Sequence, residues 1–507
     1  MGTLTIFDNS LTWKDFVPLL EGSVSIKFSS HAKKTITNSR KNLEKVLKTG
    51  KKIYGVNTGF GKLSSIKIDP SDLKTLQLNL IRSHACGLGQ SFDDGIVRSI
   101  MLLKLITWTK GYSGVRIDLS NLLLSMLNND ILPIIPEQGS VGASGDLAPL
   151  AHLALSMIGE GSVKVNNKEI SSKIALKRKK INPITLSSKE GISLINGTQV
   201  STALAIKACH ESHQILSICD VSAALSVEAG LCSRAIFEPK IHKVKKHKNQ
   251  ILTAKNIYKL LSKSEIVDSH KNCQKVQDPY SVRCVPHVHG ASKDAYCNVE
   301  SIINSEINSV SDNPLVFPNG EIRNSGHFHA EHIAQSLDVL SIAISEIGAI
   351  SEKRINYFMN GIDDIIPQFC AVKPGIESGF MLAHVTAAAL SSENKTLSHP
   401  ASVDSISTSA GMEDFVSMAP WAGRKCLNII SNVRSILAIE LLVSSNVNKR
   451  FHSKLKSGTH LRGLMTLFKK TNILIKEDGP YNKRIETIIE LIKNDKILNT
   501  IRKTINI

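Results

Sequence analysis

Apolar residues in the C-terminal part of the chain recur at helical spacing. One series, with steps of 4, 3, 4 and 3, begins at Ile333 and ends at Ile347; another, with steps of 3, 4 and 4, begins at Ile430 and ends at Leu441. Each series forms one apolar face of a long α-helix. Residues 199–230 are rich in Ala and Leu and carry few charges, which is typical of a helix buried on several sides. The pattern predicts a bundle of long helices in this part of the chain.

The first part of the chain has a more mixed pattern. Residues 161–170 alternate between apolar and polar positions and contain Asn-Asn, which predicts a small hairpin. Residues 131–136 contain two prolines and should be extended, because each proline restricts the residue before it. A helix is predicted to begin near Asp146. We therefore expect a mainly α protein, with an elongated helical bundle of residues 196–507 preceded by a smaller mixed domain of residues 1–195.

The composition is that of a soluble globular protein with a large core. The chain has 507 residues, of which 42% are hydrophobic and 21% charged, and we find no apolar run long enough to span a membrane. The N-terminus lacks the basic and apolar regions of a signal peptide. Nine scattered cysteines without a Cys-x-x-Cys pair argue against a disulfide framework and a structural zinc site. They favour a reducing, cytoplasmic setting.

The net charge is strongly positive, which is an argument for a nucleic acid or another acidic partner. Lys and Arg number 62 against 44 Asp and Glu, a balance of +18, and basic runs occupy residues 177–180 and 243–248. Aromatic residues make up only 5% of the chain, so platforms for stacking single-stranded bases are scarce. A solvated basic surface is therefore favoured over a nucleic-acid site.

A run of small residues before the predicted helix can support unusual covalent chemistry. Residues 140–155 read SVGASGDLAPLAHLAL and contain the tripeptide Ala143-Ser144-Gly145. In a tight turn the amide nitrogen of Gly145 can attack the carbonyl carbon of Ala143, because glycine permits the sharpest backbone bend. Loss of water closes a five-membered ring, and loss of the Ser144 hydroxyl leaves an exocyclic methylene. An ordinary helix cap is the alternative interpretation, since Ser, Asp and Gly are common at helix starts.

This string resembles the signature of the aromatic amino-acid ammonia-lyases, and of their histidine-selective branch in particular. The resemblance extends from about Tyr54 to about Leu442. It implies a helical homotetramer whose electrophile, a 4-methylidene-imidazol-5-one (MIO), forms autocatalytically from Ala143, Ser144 and Gly145, without a metal or dissociable cofactor. The implied reaction is non-oxidative deamination of L-histidine to trans-urocanate and ammonia, the first step of histidine degradation. A tyrosine or phenylalanine ammonia-lyase or aminomutase of the same family is the alternative.

The resemblance assigns roles to residues in three further segments. The glycine-rich loop from Tyr54 to Gly61 lacks the Lys-Ser/Thr of a phosphate-binding loop, and the family places it over the site with its tyrosine as acid or base. His84 would orient the substrate imidazole, since the Ser-His pair there fits the histidine-selective branch. Asn196 is an apt N-cap for the next long helix. The resemblance gives its side chain a hydrogen bond to the prosthetic ring or the substrate carboxylate.

The remaining implied site residues lie in the helical part of the chain. Arg283 is suited to bidentate carboxylate binding, and Gln277 and Tyr280 precede it in one short segment. In the family this segment comes from a different subunit than the electrophile. Phe328 would pack against the substrate ring. Glu413 can pair with an imidazole or take the β-proton, and an apolar phenyl ring would gain nothing from it. The choice between this carboxylate and the loop tyrosine as base stays open.

The implied residues form two sets. The catalytic set is Ala143, Ser144, Gly145, Tyr54, Tyr280 and Glu413. The substrate-binding set is His84, Asn196, Gln277, Arg283 and Phe328. Five positions depart from the family's usual residues and bear on substrate range and turnover: His327, His384, Gly411, Met412 and Phe415.

Alternating histidines offer a competing interpretation as a metalloenzyme. The histidines concerned are His287, His289, His327, His329 and His332. Alternation on a strand would place ligands on one face, but these residues fall in predicted loop-to-helix stretches, and the chain has no His-Glu-x-x-His motif. The expected partner is therefore a small-molecule substrate, with neither a metal, a membrane nor a nucleic acid.

Overall fold

A computed structural model of the chain describes residues 3–6, 10–59, 61, 65–66, 68–271 and 275–506. Phe60 of the glycine-rich loop and Cys273 lie outside the described residues. The predicted mainly α class is confirmed. In chain order, the described α-helices are α1 (Val17–Glu21), α2 (Ser30–Leu47), α3 (Leu73–His84), α4 (Asp94–Thr109), α5 (Ile117–Asn128), α6 (Leu147–Met157), α7 (Ser172–Arg178), α8 (Glu190–Ile195), α9 (Gln199–Ala229), α10 (Pro239–Lys243), α11 (Lys248–Leu260), α12 (Glu265–Asp268), α13 (Tyr280–Arg283), α14 (Val285–Ile307), α15 (Glu331–Met359), α16 (Met381–Leu397), α17 (Ala419–Phe451), α18 (Arg462–Lys470), α19 (Asn482–Lys493) and α20 (Lys496–Arg502). The described strands are β1 (Thr3–Ile6), β2 (Ser25–Phe28), β3 (Leu88–Ser91), β4 (Leu132–Pro133), β5 (Pro136–Gln138), β6 (Ser162–Val165), β7 (Lys168–Ser171), β8 (Leu315–Val316) and β9 (Ile322–Arg323).

The chain divides into two compact units, each assembled from three segments. Unit 1 comprises Met1–His210, Glu300–Asp338 and Pro400–Arg424. Unit 2 comprises Glu211–Val299, Val339–His399 and Lys425–Ile507. The expected boundary at residue 195 is not among these divisions and stays a prediction.

The strands belong to unit 1, where they form small sheets. β1 and β2 pair in parallel, β3 with β5 and β8 with β9 pair antiparallel, and β4, β6 and β7 form a three-stranded antiparallel sheet. The predicted hairpin is confirmed as β6 and β7, with Asn166 and Asn167 at positive φ in the turn. The predicted extended segment is confirmed as β4 and the start of β5.

The predicted apolar faces of α15 and α17 are buried. The residues concerned are Ile333, Leu337, Leu340, Ile344, Ile347, Ile430, Val433, Leu437 and Leu441. Both helices contain a window apolar enough to cross a membrane, so the prediction that no apolar run is long enough is wrong. However, 61% of the α15 window and 72% of the α17 window are buried inside the protein. This burial is typical of core helices in a soluble protein.

Three helices of unit 1 frame a common region. α3 ends at His84, α6 begins one residue after Asp146, and α8 ends at Ile195. The interpretation of Asn196 as an N-cap is wrong, because it is the C-cap of α8 and the next helix begins at Gln199. Its side chain is therefore available for another partner.

Candidate active site

The tripeptide Ala143-Ser144-Gly145 lies in the turn between β5 and α6. Gly145 has a φ of +78°, and a Cβ built on it would lie 2.3 Å from the carbonyl oxygen of Gly197. Both the conformation and the space therefore require glycine. The two glycine backbones also form a β-bridge. Close packing of these backbones fixes the turn that carries the tripeptide.

Four hydrogen bonds hold this turn against residues 196–201, which end α8 and begin α9. The Asn196 side-chain Nδ2 donates to the carbonyl oxygen of Ser144 at 2.7 Å. The backbone N–H of Asp146 donates to the carbonyl oxygen of Gly197 at 2.8 Å. The Asp146 side chain makes no capping bond to α6. It accepts instead from the backbone N–H and the hydroxyl of Ser201 at 2.8 and 2.9 Å. Desolvation of this fully buried carboxyl raises its pKa to about 6.

Glu413 lies directly against the tripeptide. Ser144 Oγ donates to Glu413 Oε1 at 2.5 Å, while Oε2 accepts from the hydroxyls of Thr408 and Ser409 at 2.9 and 2.5 Å. Burial favours the neutral acid, but these hydroxyl donors and nearby His84 lower the pKa of Glu413 below its ordinary value. An ionised carboxylate is therefore held at the Ser144 hydroxyl, the group that formation of the exocyclic methylene would remove.

A cavity of about 940 Å³ opens over the tripeptide within unit 1. Its size is in the range of small-molecule sites. The predicted site residues that line it are Tyr54, His84, Ala143, Ser144, Asn196, Phe328 and Glu413. Its apolar wall includes Ile66, Ile68, Leu76, Leu80, Leu147, Ile192 and Ile195. The structure thus brings together residues from six separate stretches of the sequence.

Local structure places Tyr54 and His84 at the cavity wall. The Tyr54 hydroxyl accepts from the backbone N–H of Gly61 at 3.2 Å, which joins the two ends of the glycine-rich loop. His84 is the last residue of α3, and its Nδ1 lies 3.1 Å from Ser83 Oγ. Burial lowers the pKa of His84, while a backbone hydrogen bond and Glu413 act in the opposite direction. A neutral imidazole and an ionised carboxylate therefore share the cavity.

The predicted carboxylate-binding segment belongs to unit 2. Gln277 precedes α13, which contains Tyr280 and Arg283. The Arg283 guanidinium lies 4.6 Å from the centre of the Tyr280 ring, and that tyrosine is 70% exposed. Among the described residues that line the cavity, none comes from this segment. Its contribution from a second subunit stays a prediction.

Comparison with known proteins places the chain in a family. Residues 11–470 match the family described as aromatic amino acid lyase. The chain belongs to that family. A histidine ammonia-lyase of Treponema denticola is 44% identical over 501 residues, which cover 98% of each chain. The family resemblance inferred from the sequence is therefore confirmed.

Two solved structures of aromatic amino acid lyase relatives superpose closely on this chain. A histidine ammonia-lyase from Trypanosoma cruzi gives a TM-score of 0.91 at 37% identity, covering 100% of this chain and 96% of that chain. A tyrosine aminomutase from Streptomyces globisporus gives a TM-score of 0.93 at 30% identity, covering 100% and 99%. The fold is therefore shared by a histidine ammonia-lyase and a tyrosine aminomutase, so the site rather than the fold must decide the substrate.

Two of the five positions that are expected to depart from the family's usual residues line the cavity. They are Met412 and Phe415, both largely exposed, and the Phe415 ring stacks on His329 with 6.1 Å between centroids. His384 is elsewhere, in unit 2, where its Nε2 lies 2.9 Å from Glu352. Positions 327 and 411 are outside the lining that the structure describes. Of these five positions, Met412 and Phe415 are therefore the two that could contact a molecule in the cavity.

Among the alternating histidines, His289 alone belongs to a described group of three potential metal ligands within 4.8 Å, formed with Cys219 and Asp220. His289 Nδ1 lies 3.0 Å from the Asp220 carboxylate, which also accepts from Lys293 at 2.6 Å. Because a lysine already neutralises this carboxylate, the group has the chemistry of a buried ion-pair network rather than of a metal site.

Sequence reasoning missed the residues that fix the turn of the tripeptide through contacts outside the cavity. Asp146 resembled a helix cap, while Ser201 and Lys104 had no local motif. Asp146 bonds to a residue 55 positions away, and Lys104 to one 92 positions away, so a pattern within one helix does not reveal them. The signal in the sequence was Lys104 itself, which is a single charge within the apolar residues 100–106 of α4.

Proposed function

We propose that this protein is a histidine ammonia-lyase, which converts L-histidine to trans-urocanate and ammonia. The observation that carries the proposal is the hydrogen bond between Ser144 and Glu413 at the wall of a cavity that also contains His84. A carboxylate and a neutral imidazole can hydrogen-bond a substrate imidazole, whereas a phenyl ring would leave both groups unpaired. The 44% identity with the Treponema denticola histidine ammonia-lyase supports the same substrate.

The proposed electrophile is MIO, formed from Ala143, Ser144 and Gly145. Gly145 N bonds to the Ala143 carbonyl carbon, whose oxygen leaves as water, and the Ser144 hydroxyl leaves with the α-hydrogen as a second water. The surrounding residues fit this group, because the space beside Gly197 admits only glycine at position 145 and Asn196 holds the Ser144 carbonyl. Once formed, the group supplies the electrophile that makes an amine a competent leaving group.

Glu413 and Tyr54 are the proposed proton carriers. The lowered pKa of Glu413 leaves its carboxylate ionised at neutral pH, so we assign it the removal of the substrate β-proton. The Tyr54 hydroxyl lines the same cavity and is assigned the role of acid towards the departing amine. Elimination needs a base to take the β-proton and an acid to protonate the departing amine, and the carboxylate of Glu413 and the hydroxyl of Tyr54 are assigned these two roles.

The substrate carboxylate needs a cation, and we assign that role to Arg283 of a neighbouring subunit. Gln277 and Tyr280 would assist it, and Tyr280 would take part in catalysis. This assignment makes the active form a homotetramer with shared sites. The enzyme would be soluble and cytoplasmic. His84 and Phe328, which line the cavity of unit 1, would contact the imidazole ring.

The direct test is formation of urocanate, followed by its absorbance, when purified protein is mixed with L-histidine. A Ser144→Ala variant is the matched control, and L-tyrosine and L-phenylalanine are tested in parallel. We expect urocanate from the wild type and none above background from the variant. Turnover of tyrosine or phenylalanine in place of histidine would overturn the substrate assignment. Activity that survives Ser144→Ala would overturn the electrophile.

A further inference from the structure

A buried ammonium lies behind the tripeptide. Lys104, in the middle of α4, is 1% exposed, and its Nζ donates to the carbonyl oxygens of Ser193 at 3.2 Å and Asn196 at 3.0 Å. These carbonyls are at the C-terminal end of α8, where the helix dipole attracts a cation. Among the described residues no carboxylate lies within salt-bridge distance of Nζ. The lysine is therefore bonded to main chain rather than to an ionic partner.

The two carbonyls belong to the segment that carries the tripeptide's own partners. Asn196 makes both contacts. Its carbonyl oxygen accepts from Lys104, and its side-chain amide donates to the Ser144 carbonyl oxygen at 2.7 Å. The next carbonyl, that of Gly197, accepts from Asp146 N–H at 2.8 Å. Asn196 is therefore the single residue that links Lys104 to the tripeptide, so a shift of the Asn196 backbone would also move the amide that meets Ser144.

A second buried lysine, Lys189, precedes α8 and bonds to it. Lys189 Nζ donates to Ser193 Oγ at 2.6 Å and to Asp312 at 2.9 Å, and that serine also donates to Asp312 at 3.0 Å. Lys189 and Asp312 thus form a buried ion pair, whereas Lys104 bonds to backbone carbonyls. The end of α8 is thus held by side chains of α4 and of the stretch before β8, both within unit 1.

Burial of an ammonium at this place is costly. Desolvation lowers the pKa of Lys104 to about 7, with Asp312 and Asp146 acting to raise it and Lys189 to lower it further. A methionine would fill a similar volume without that desolvation. It would, however, leave the Ser193 and Asn196 carbonyls without this donor in a buried position.

We propose that Lys104 is a positioning residue of the active site, which fixes the end of α8 so that the Asn196 amide meets the Ser144 carbonyl. The inference rests on the proposed function and deepens it. The lysine touches neither the cavity nor the tripeptide. Its effect is predicted on ring formation and on the turnover number, through the placement of Asn196.

The test compares Lys104→Met and Lys104→Arg with Lys425→Met in the full chain. Lys425 is an equally buried lysine that donates to a backbone carbonyl, that of His399, in unit 2. The readouts are intact mass, which reports the loss of two waters from the tripeptide, kcat and KM for L-histidine, and thermal unfolding. For Lys104→Met we expect a folded protein with fewer dehydrated chains and a kcat about 10- to 100-fold lower, with KM changed by less than about 3-fold. Lys104→Arg should recover part of both losses, and Lys425→Met should keep the wild-type mass.

The outcomes separate this inference from the proposed function. A wild type that is lighter by two waters but inactive on histidine refutes the proposed substrate alone, and the mass comparison still tests Lys104. Wild-type mass and kcat in Lys104→Met would overturn the positioning role, as would an equal loss of dehydrated chains in Lys425→Met. If Lys104→Met fails to fold, Lys104→Ala, which also removes the donor, takes its place, and wild-type dehydration and kcat in that folded variant would overturn the requirement for the Lys104 hydrogen bonds. A wild type of unmodified mass would overturn both proposals.

Discussion

The hydroxyl of Ser144 donates a hydrogen bond to Glu413 at 2.5 Å, across 269 positions of sequence. The carboxylate therefore lies against the one side-chain group that MIO formation would remove. Once that hydroxyl is gone, Oε1 of Glu413 loses its donor and becomes free to accept a hydrogen bond from, or take a proton from, a bound substrate. The Ser144–Glu413 hydrogen bond of the uncyclised chain thus indicates where the proposed base, Glu413, would lie once the MIO had formed.

Replacement of Glu413 by Gln should leave the fold intact and reduce turnover. The amide preserves the shape but cannot take a proton, so we expect kcat to fall by about 100- to 10,000-fold, the range for loss of a general base. Steady-state kinetics with L-histidine, together with intact mass, would measure this. Asp414→Asn removes the adjacent, exposed carboxylate and should cost less than about 10-fold. Equal losses in the two variants would point to the charge of the loop rather than to a base at position 413.

Gly145→Ala should abolish dehydration of the tripeptide, because the added methyl would meet the Gly197 carbonyl oxygen at 2.3 Å. Gly50→Ala is the matched control, since Gly50 also has positive φ, at +70°, but nothing lies within 4 Å of its would-be Cβ. The control should cost about 1–2 kcal/mol of stability from conformation alone and keep full dehydration. Intact mass and thermal unfolding distinguish the two effects. A dehydrated Gly145→Ala chain would show that the close contact is not required.

Asp146 should make the protein less stable as pH rises from about 4 to 7. Its pKa is about 6 in the folded chain against 3.8 ordinarily, because burial favours the neutral acid. Below the ordinary value the carboxyl is protonated in both states and its stabilising contribution is complete. As pH rises through the folded pKa, the folded chain must ionise a buried group that the unfolded chain has already ionised, and this contribution is lost.

Asp146→Asn removes that titration, so the stability of the variant relative to wild type should rise by about 1–3 kcal/mol between pH 4 and 7. Thermal unfolding of both proteins over this pH range measures the difference, and other titrating groups cancel in it. A difference that does not change with pH would contradict the raised pKa of Asp146.

The helices and the tripeptide were predictable from the sequence because their signals are local. The apolar faces of α15 and α17 repeat within a few turns, and the small residues from 140 to 146 are contiguous. The role of Asn196 was also implied by family resemblance. Its capping position was nevertheless predicted wrongly, because a side chain that suits an N-cap chemically lies after a helix and bonds to a distant carbonyl.

Lys104 shows why the rest was not predictable. In the sequence it is one charge in an apolar stretch, which is usually the solvated side of an amphipathic helix. Nothing within α4 reveals that its partners are carbonyls 89 and 92 positions later. Such pairs follow from how distant segments pack, and packing is not encoded in the periodicity of either segment.

Mixed oligomers of two inactive variants should test whether the proposed site is shared between subunits. Ser144→Ala and Arg283→Gln are each expected to be inactive, since one lacks the electrophile and the other the carboxylate-binding cation. If Arg283 serves the site of a neighbouring subunit, co-expression of the two variants creates some sites with neither substitution. Random mixing should make about a quarter of the sites intact. The measurement is histidine turnover of the purified mixed protein, relative to wild type.

The matched control is the mixture of Ser144→Ala with Glu413→Gln. These two residues are hydrogen-bonded within one chain, so every site in that mixture should retain one of the substitutions and stay inactive. Restored activity in the first mixture but not in the second would support sites shared between subunits. No restoration in either mixture, in oligomers shown by mass to contain both chains, would mean that Arg283 serves the tripeptide of its own chain or does not serve this site at all.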